Sequence, residues 1–81
     1  MYFIEFSKEA QKNFNKISDF DAKIIAKKIN SLKENPFRSL KRLHGDKLWR
    51  LRVGYYRVIV DVIVLKNKIV IVRIGKRAGV Y

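Results

Sequence analysis

Eighty-one residues, 48% of them hydrophobic, are enough for one folded domain with a single core and too apolar for disorder to be the default. Nineteen Lys and Arg against seven Asp and Glu leave a net charge of +12, which calls for a polyanionic partner such as nucleic acid, an acidic protein or an anionic membrane surface. The absence of cysteine excludes disulfides and thiolate metal sites, and a single histidine argues against a metal centre, so no metal or cofactor is expected. No signal-like or membrane-length apolar run is present, and the expectation is a soluble cytoplasmic protein that does not enter a membrane.

Tyr2 to Phe6 places Tyr2, Ile4 and Phe6 on one side and Phe3 and Glu5 on the other, the period of a short strand. Ser7 is placed to cap a helix, and Glu9 in its first turn favours the helix dipole. That helix runs to about Ile17, with Ala10, Phe14 and Ile17 as its apolar stripe and Lys8, Lys12 and Lys16 as a solvated row. Ser18 and Asp21 form a capping-box-like start for a second helix, whose buried side is expected to be Phe20, Ile24, Ile25, Ile29 and Leu32. Asn35-Pro36 stops it. Residues 37–47 have no clean period and read as a basic connection, with Leu40 and Leu43 turned inward and a turn at His44-Gly45-Asp46.

Leu48 to Val64 is a hairpin in near-strict alternation. Gly54-Tyr55 is a two-residue turn with Gly where a type II′ turn wants it. The turn fixes the register: Val53 faces Tyr56, Arg52 faces Arg57, Leu51 faces Val58 and Arg50 faces Ile59. One face collects Trp49, Leu51, Val53, Tyr56, Val58, Val60, Val62 and Val64; the other collects Arg50, Arg52, Arg57, Ile59, Asp61 and Ile63. Arg52 opposite Arg57 is a like-charge pair that costs stability, and an anionic ligand is the natural reason to hold it.

A last strand follows, Ile69 to Gly75. A two-residue turn at Lys66-Asn67 would set Arg73 opposite Val60. A three-residue loop sets Arg73 opposite Asp61 and Arg77 opposite Arg57, keeps Val70, Val72 and Ile74 in the core, and is the register expected here. Arg50, Arg52, Arg57, Arg73 and Arg77 then share one face with Asp61, beside a C-terminal tail that brings Tyr81 close. Such a face can hold phosphates and stack a base. Cutting RNA would further require proton transfer. Arginine is a poor base because its pKa lies above ~12, leaving Lys47, Lys76, His44 and Tyr81 as the groups able to move protons.

The run from Leu43 to Val60, with its Gly54-Tyr55-Tyr56-Arg57, followed by Ile74-Gly75-Lys76-Arg77 and Val80-Tyr81, resembles the RelE/ParE toxin superfamily, closest to its RelE branch. The likeness covers essentially the whole chain. It implies a single α+β domain over residues 1–81, with β-α-α-β-β-β order and a mostly antiparallel twisted sheet carrying an αα-hairpin on one face. It also implies a toxin of a type II toxin–antitoxin pair. RelE-like members are metal-independent endoribonucleases that stop translation by cutting mRNA in the ribosomal A site, and each is neutralised by a small acidic, RelB-like antitoxin.

By position, Arg57 matches the arginine after Gly-x-Tyr, Arg77 that of Gly-Lys-Arg, and Tyr81 the tyrosine shortly after it. The resemblance implies that these residues stabilise the transition state, protonate the leaving group and stack on the substrate base. Arg50 joins them as a catalytic candidate, and Arg52, Arg73, Lys47 and Lys76 are expected to bind RNA. The pattern departs from the family at Leu48, where RelE toxins carry a lysine thought to act as base; Lys47, one residue away, substitutes for it only if a bulge re-aims it. Two other readings stand beside this one: a ParE-like inhibitor of DNA gyrase that cuts nothing, and a plain basic nucleic-acid-binding module.

Overall fold

A computed structural model describes residues 1–43, 45 and 47–76. It runs β1 (Phe3–Phe6), α1 (Lys8–Asn15), α2 (Asp19–Asn30), a 3-10 turn (Ser31–Lys33), α3 (Pro36–Ser39), β2 (Lys41–Arg42), β3 (Trp49–Val53), β4 (Tyr56–Ile63), a second 3-10 turn (Val64–Lys66) and β5 (Lys68–Lys76). Both long helices begin as their sequences require. Ser7 Oγ accepts from the Ala10 amide at 3.0 Å, and Ser18 Oγ accepts from the Asp21 amide at 3.3 Å. The first part of the connection, through Arg42, is more regular than its lack of period suggests. Pro36 opens the one-turn helix α3, where its missing N–H costs nothing, and Lys41–Arg42 then joins the sheet.

The sheet has the order β1-β5-β4-β3-β2. β1 lies parallel to β5, and the remaining pairs are antiparallel. The hairpin register is the one expected, from Val53 opposite Tyr56 to Trp49 opposite Val60. Gly54 has φ +57° while Tyr55 stays out of the left-handed region, as a type II′ turn requires of these two angles.

The core lies between this sheet and the helices. Ala10 of α1, Ile25 and Ile29 of α2 and Leu32 meet Leu51, Val53, Val58, Val60, Ile69, Ile71 and Ile74 in one cluster, with Leu40 closing one end. Two residues expected on the buried side of α2 are outside it: Phe20 is 75% exposed and Ile24 48%. Ile25, Ile29 and Leu32 form the stripe that meets the sheet. Ile24 is turned about 100° from Ile25, and Phe20 further still.

The expected register of the last strand is overturned. The four residues 64–67 separate Ile63 from its partner Lys68, with Asn67 in the left-handed region at φ 50°. From there Val62 faces Ile69, Asp61 faces Val70 and Val60 faces Ile71; after a bulge at Val72, Ile59 faces Arg73, Val58 faces Ile74 and Arg57 faces Gly75. The bulge reverses the alternation of β5 partway along. Ile69, Ile71 and Ile74 therefore enter the core, not Val70 and Val72. Arg73 opposes Ile59 rather than Asp61, and Gly75 rather than Arg77 stands across from Arg57.

Candidate nucleic-acid interface

Antiparallel registers align side chains into rungs, since directly paired residues share a face. One rung crosses four strands: Lys41 on β2, Arg50 on β3, Ile59 on β4 and Arg73 on β5. The next rung, about 7 Å along the strands, is Arg52, Arg57 and Gly75. Four of the five arginines expected on this face are thus brought together, on the side of the sheet away from the helices. Arg73 arrives there by the bulge rather than by the register expected for it.

Ile59 lies among them, only 1% exposed although it is outside the helix-side core cluster. Its rung neighbours Arg50 and Arg73 are long enough to lay their methylene stems over it while their guanidinium groups reach water. At 1% exposure Ile59 supplies no open apolar surface to a ligand. Arg50 and Arg57 are half-buried, and Arg52 and Arg73 are exposed. Asp61, half-buried, and Glu5 of β1, which meet across Val70, put carboxylates on this face as well.

Lys47 precedes the β3–β4 ladder, which begins at Trp49, and lines a cleft of about 590 Å³ with Phe37, Arg42, Trp49 and Asp61. There the Phe37 and Trp49 rings meet edge to face at 5.1 Å, and the Arg42 guanidinium stands 5.0 Å over the Trp49 ring. Lys76 pairs with Tyr56 and so points to the helix-bearing side of the sheet. His44, Arg77 and Tyr81 lie outside the described residues.

On that helix side, Tyr56 donates its hydroxyl to Asp21 Oδ2 at 2.9 Å, tying the hairpin to α2. The bond to this carboxylate, reinforced by partial burial and by the charge of Asp21, raises the Tyr56 phenol above its ordinary value. The residue that sequence reasoning missed on the arginine face is Lys41. It sits in a two-residue strand too short to show alternation, and only its pairing with Arg50 places it.

Such an arrangement is chemically able to hold and neutralise phosphates. Guanidinium forks at two levels offer bidentate donors to phosphate oxygens and charge stabilisation to a pentavalent phosphorus, while no described arginine serves as a base.

Comparison with known proteins agrees with the fold. A family model described as the ParE toxin of type II toxin-antitoxin system, parDE, matches residues 4–81. Among solved structures, the chain is similar to the toxin–antitoxin complex RelBE2 from Mycobacterium tuberculosis, with TM-score 0.86 and 22% identity over 94% of this chain and 98% of that one. It is similar to the isolated E. coli RelE toxin, with TM-score 0.84 and 24% identity over 94% of this chain and 84% of that one. It is also similar to the RelE–RelB complex from Pyrococcus horikoshii OT3, with TM-score 0.80 and 22% identity over 96% and 97% of the two chains. No curated protein sequence matches the chain. With a family match from Ile4 to the last residue and a five-stranded sheet that superimposes on the RelE structures, the chain belongs to the RelE/ParE superfamily and is a toxin of a type II toxin–antitoxin system.

Proposed function

We propose that this toxin is a metal-independent endoribonuclease that cuts mRNA in the ribosomal A site, and that a small acidic antitoxin restrains it. The observation that carries the reading is the convergence of Arg50, Arg52, Arg57 and Arg73 in two adjacent rungs of one face. In this account Arg50 and Arg57, half-buried and so held in place, stabilise the phosphorane. Arg52 and Arg73 hold the flanking phosphates, Arg77 shares the charge, and Tyr81 stacks on a base of the bent strand. Similarity to RelE structures and to complexes of RelE with RelB supports both the activity and the partner. The +12 charge is what an acidic antitoxin would offset.

The test is to add the protein to a defined translation reaction and map mRNA 5′ ends. Cuts inside codons, present only when ribosomes are present, are expected. Halted translation over intact mRNA rejects the nuclease.

The ParE family match favours a second reading, inhibition of DNA gyrase by binding alone. A supercoiling assay with purified gyrase separates the two: the nuclease leaves supercoiling untouched.

A further inference from the structure

The sheet has an open corner where β4 outruns its neighbour. The β3–β4 ladder begins at Trp49 opposite Val60, yet β4 continues to Ile63. Asp61, Val62 and Ile63 thus run past the start of β3 and, with Val64, line one side of the aromatic cleft. Phe37 of α3, Arg42 of β2, Lys47 and Trp49 line the other. Its volume of about 590 Å³ lies within the range of small-ligand sites, about 300–1,000 Å³.

The lining sets planar groups beside a carboxylate. The Phe37 ring, 45% exposed, meets Trp49 edge to face, and the Arg42 guanidinium stands over the Trp49 ring. Aromatic rings and guanidinium planes are the surfaces on which the unstacked bases of single-stranded RNA settle. The two oxygens of Asp61 can accept from two neighbouring donors at once. Of the four RNA bases, only guanine carries two adjacent donors, N1–H and the N2 amino group, on its Watson–Crick edge. Adenine, cytosine and uracil set each donor beside an acceptor, which a carboxylate repels. Lys47, exposed, adds donors for the phosphate of the same nucleotide.

We propose that this cleft is a base-selective subsite. It takes an unpaired guanine of the RNA strand whose phosphates lie on the arginine rungs, stacks it against the ring and guanidinium planes, and reads it through Asp61. The continuity is built into β4: Asp61 lies two residues from Ile59 on the same face, about 7 Å from the four-strand rung. The subsite rests on the proposed function, in which the arginine face binds RNA, and gives that face a sequence preference that phosphate contacts lack.

Trp49 is the single tryptophan of the chain, so its emission reports on the cleft, while the anisotropy of a fluorescein-labelled strand reports binding to the protein as a whole. A short oligouridine with one internal guanosine is expected to bind about 10-fold tighter than plain oligouridine, toward the lower end of what a bidentate base contact provides, and to change Trp49 emission more. Inosine in place of guanosine, which lacks the N2 amino group, should lose much of that gain. Asp61→Asn, which exchanges one acceptor for a donor, should bring the guanosine and plain strands to equal affinity. Phe37→Ala should weaken the guanosine strand more than the plain one. Equal affinity for the two strands in wild type, or Trp49 emission unchanged at saturation, overturns the subsite and leaves the arginine face standing. A guanosine preference that survives in Asp61→Asn overturns it too. Emission that changes with the antitoxin but with neither strand gives the cleft to the protein partner instead. A wild-type protein whose addition leaves the anisotropy of both strands unchanged defeats the arginine face and the subsite with it, so the two failures are told apart.

Discussion

Ile59 and Tyr56 are neighbours on β4 with opposite duties. Ile59 is buried on the side of the sheet that has no helices, with Arg50 and Arg73 flanking it on its rung. Truncation to alanine opens a gap on that rung. Ile59→Ala is expected to cost about 2 kcal/mol, at the low end for buried isoleucine because flexible stems can partly collapse into the gap. Urea unfolding reads that loss, and RNA affinity should fall with it as the rung shifts. Tyr56, by contrast, is held through its hydroxyl. Its phenol is raised above the ordinary 10.0 by the bond to Asp21, by partial burial and by the carboxylate's charge. A raised acid stabilises the fold while it stays protonated. That stability is complete below the ordinary phenol range and is lost as pH climbs through the raised value. Tyr56→Phe should melt earlier than wild type at neutral pH and show a smaller further fall in alkaline buffer. Thermal melts across pH check it, and identical alkaline profiles for the two proteins would count against the bond.

Ser7 links three pieces of the fold. It ends β1, caps α1, and donates its hydroxyl to the Val72 carbonyl at 2.7 Å, the residue at which β5 bulges. The hydrogen bond satisfies a carbonyl that the irregular ladder displaces, and the bulge puts Arg73 on the arginine face. Ser7→Ala should cost about 1–2 kcal/mol, as the loss of a cap does, and should loosen β5 near Arg73. Hydrogen exchange at Val72 and Arg73 is the readout; protection unchanged from wild type would detach the serine from the bulge.

This pair also explains why the hairpin could be read from sequence and β5 could not. Trp49 to Val60 alternates charge with apolar side chains and turns on a glycine, so one register satisfies both strands. Ile69-Val70-Ile71-Val72 is apolar at every position and carries no parity signal. The bulge that sets its phase is met by a hydrogen bond from a serine that follows the first strand, 65 positions away. The same limit hid α3 and β2, each shorter than the period that would announce it, and Lys41 with them. For α2, Phe20 and Ile24 were apolar but off the stripe, and chemistry without angle misplaced them.

Across the chain, charge and apolar surface are arranged for different partners. The arginine rungs form a basic track on β2 to β5, suited to a phosphate backbone. Phe20, Tyr55 and Leu65 stand exposed away from it. An antitoxin that covers such side chains as well as pairing with arginines should remain bound when salt is raised to molar levels, because apolar contact is not screened. Size-exclusion chromatography of the co-expressed pair checks this. Dissociation in salt would reduce the contact to charge alone.

The most direct trial of the arginine face is the rate of mRNA cutting on programmed ribosomes by wild type and by Arg57→Ala, with thermal melts run alongside. Removal of one oriented charge-stabilising donor should slow cutting by about 100- to 1000-fold with little change in melting. Undiminished cutting by Arg57→Ala, or cutting that falls only as far as the protein unfolds, would contradict the account.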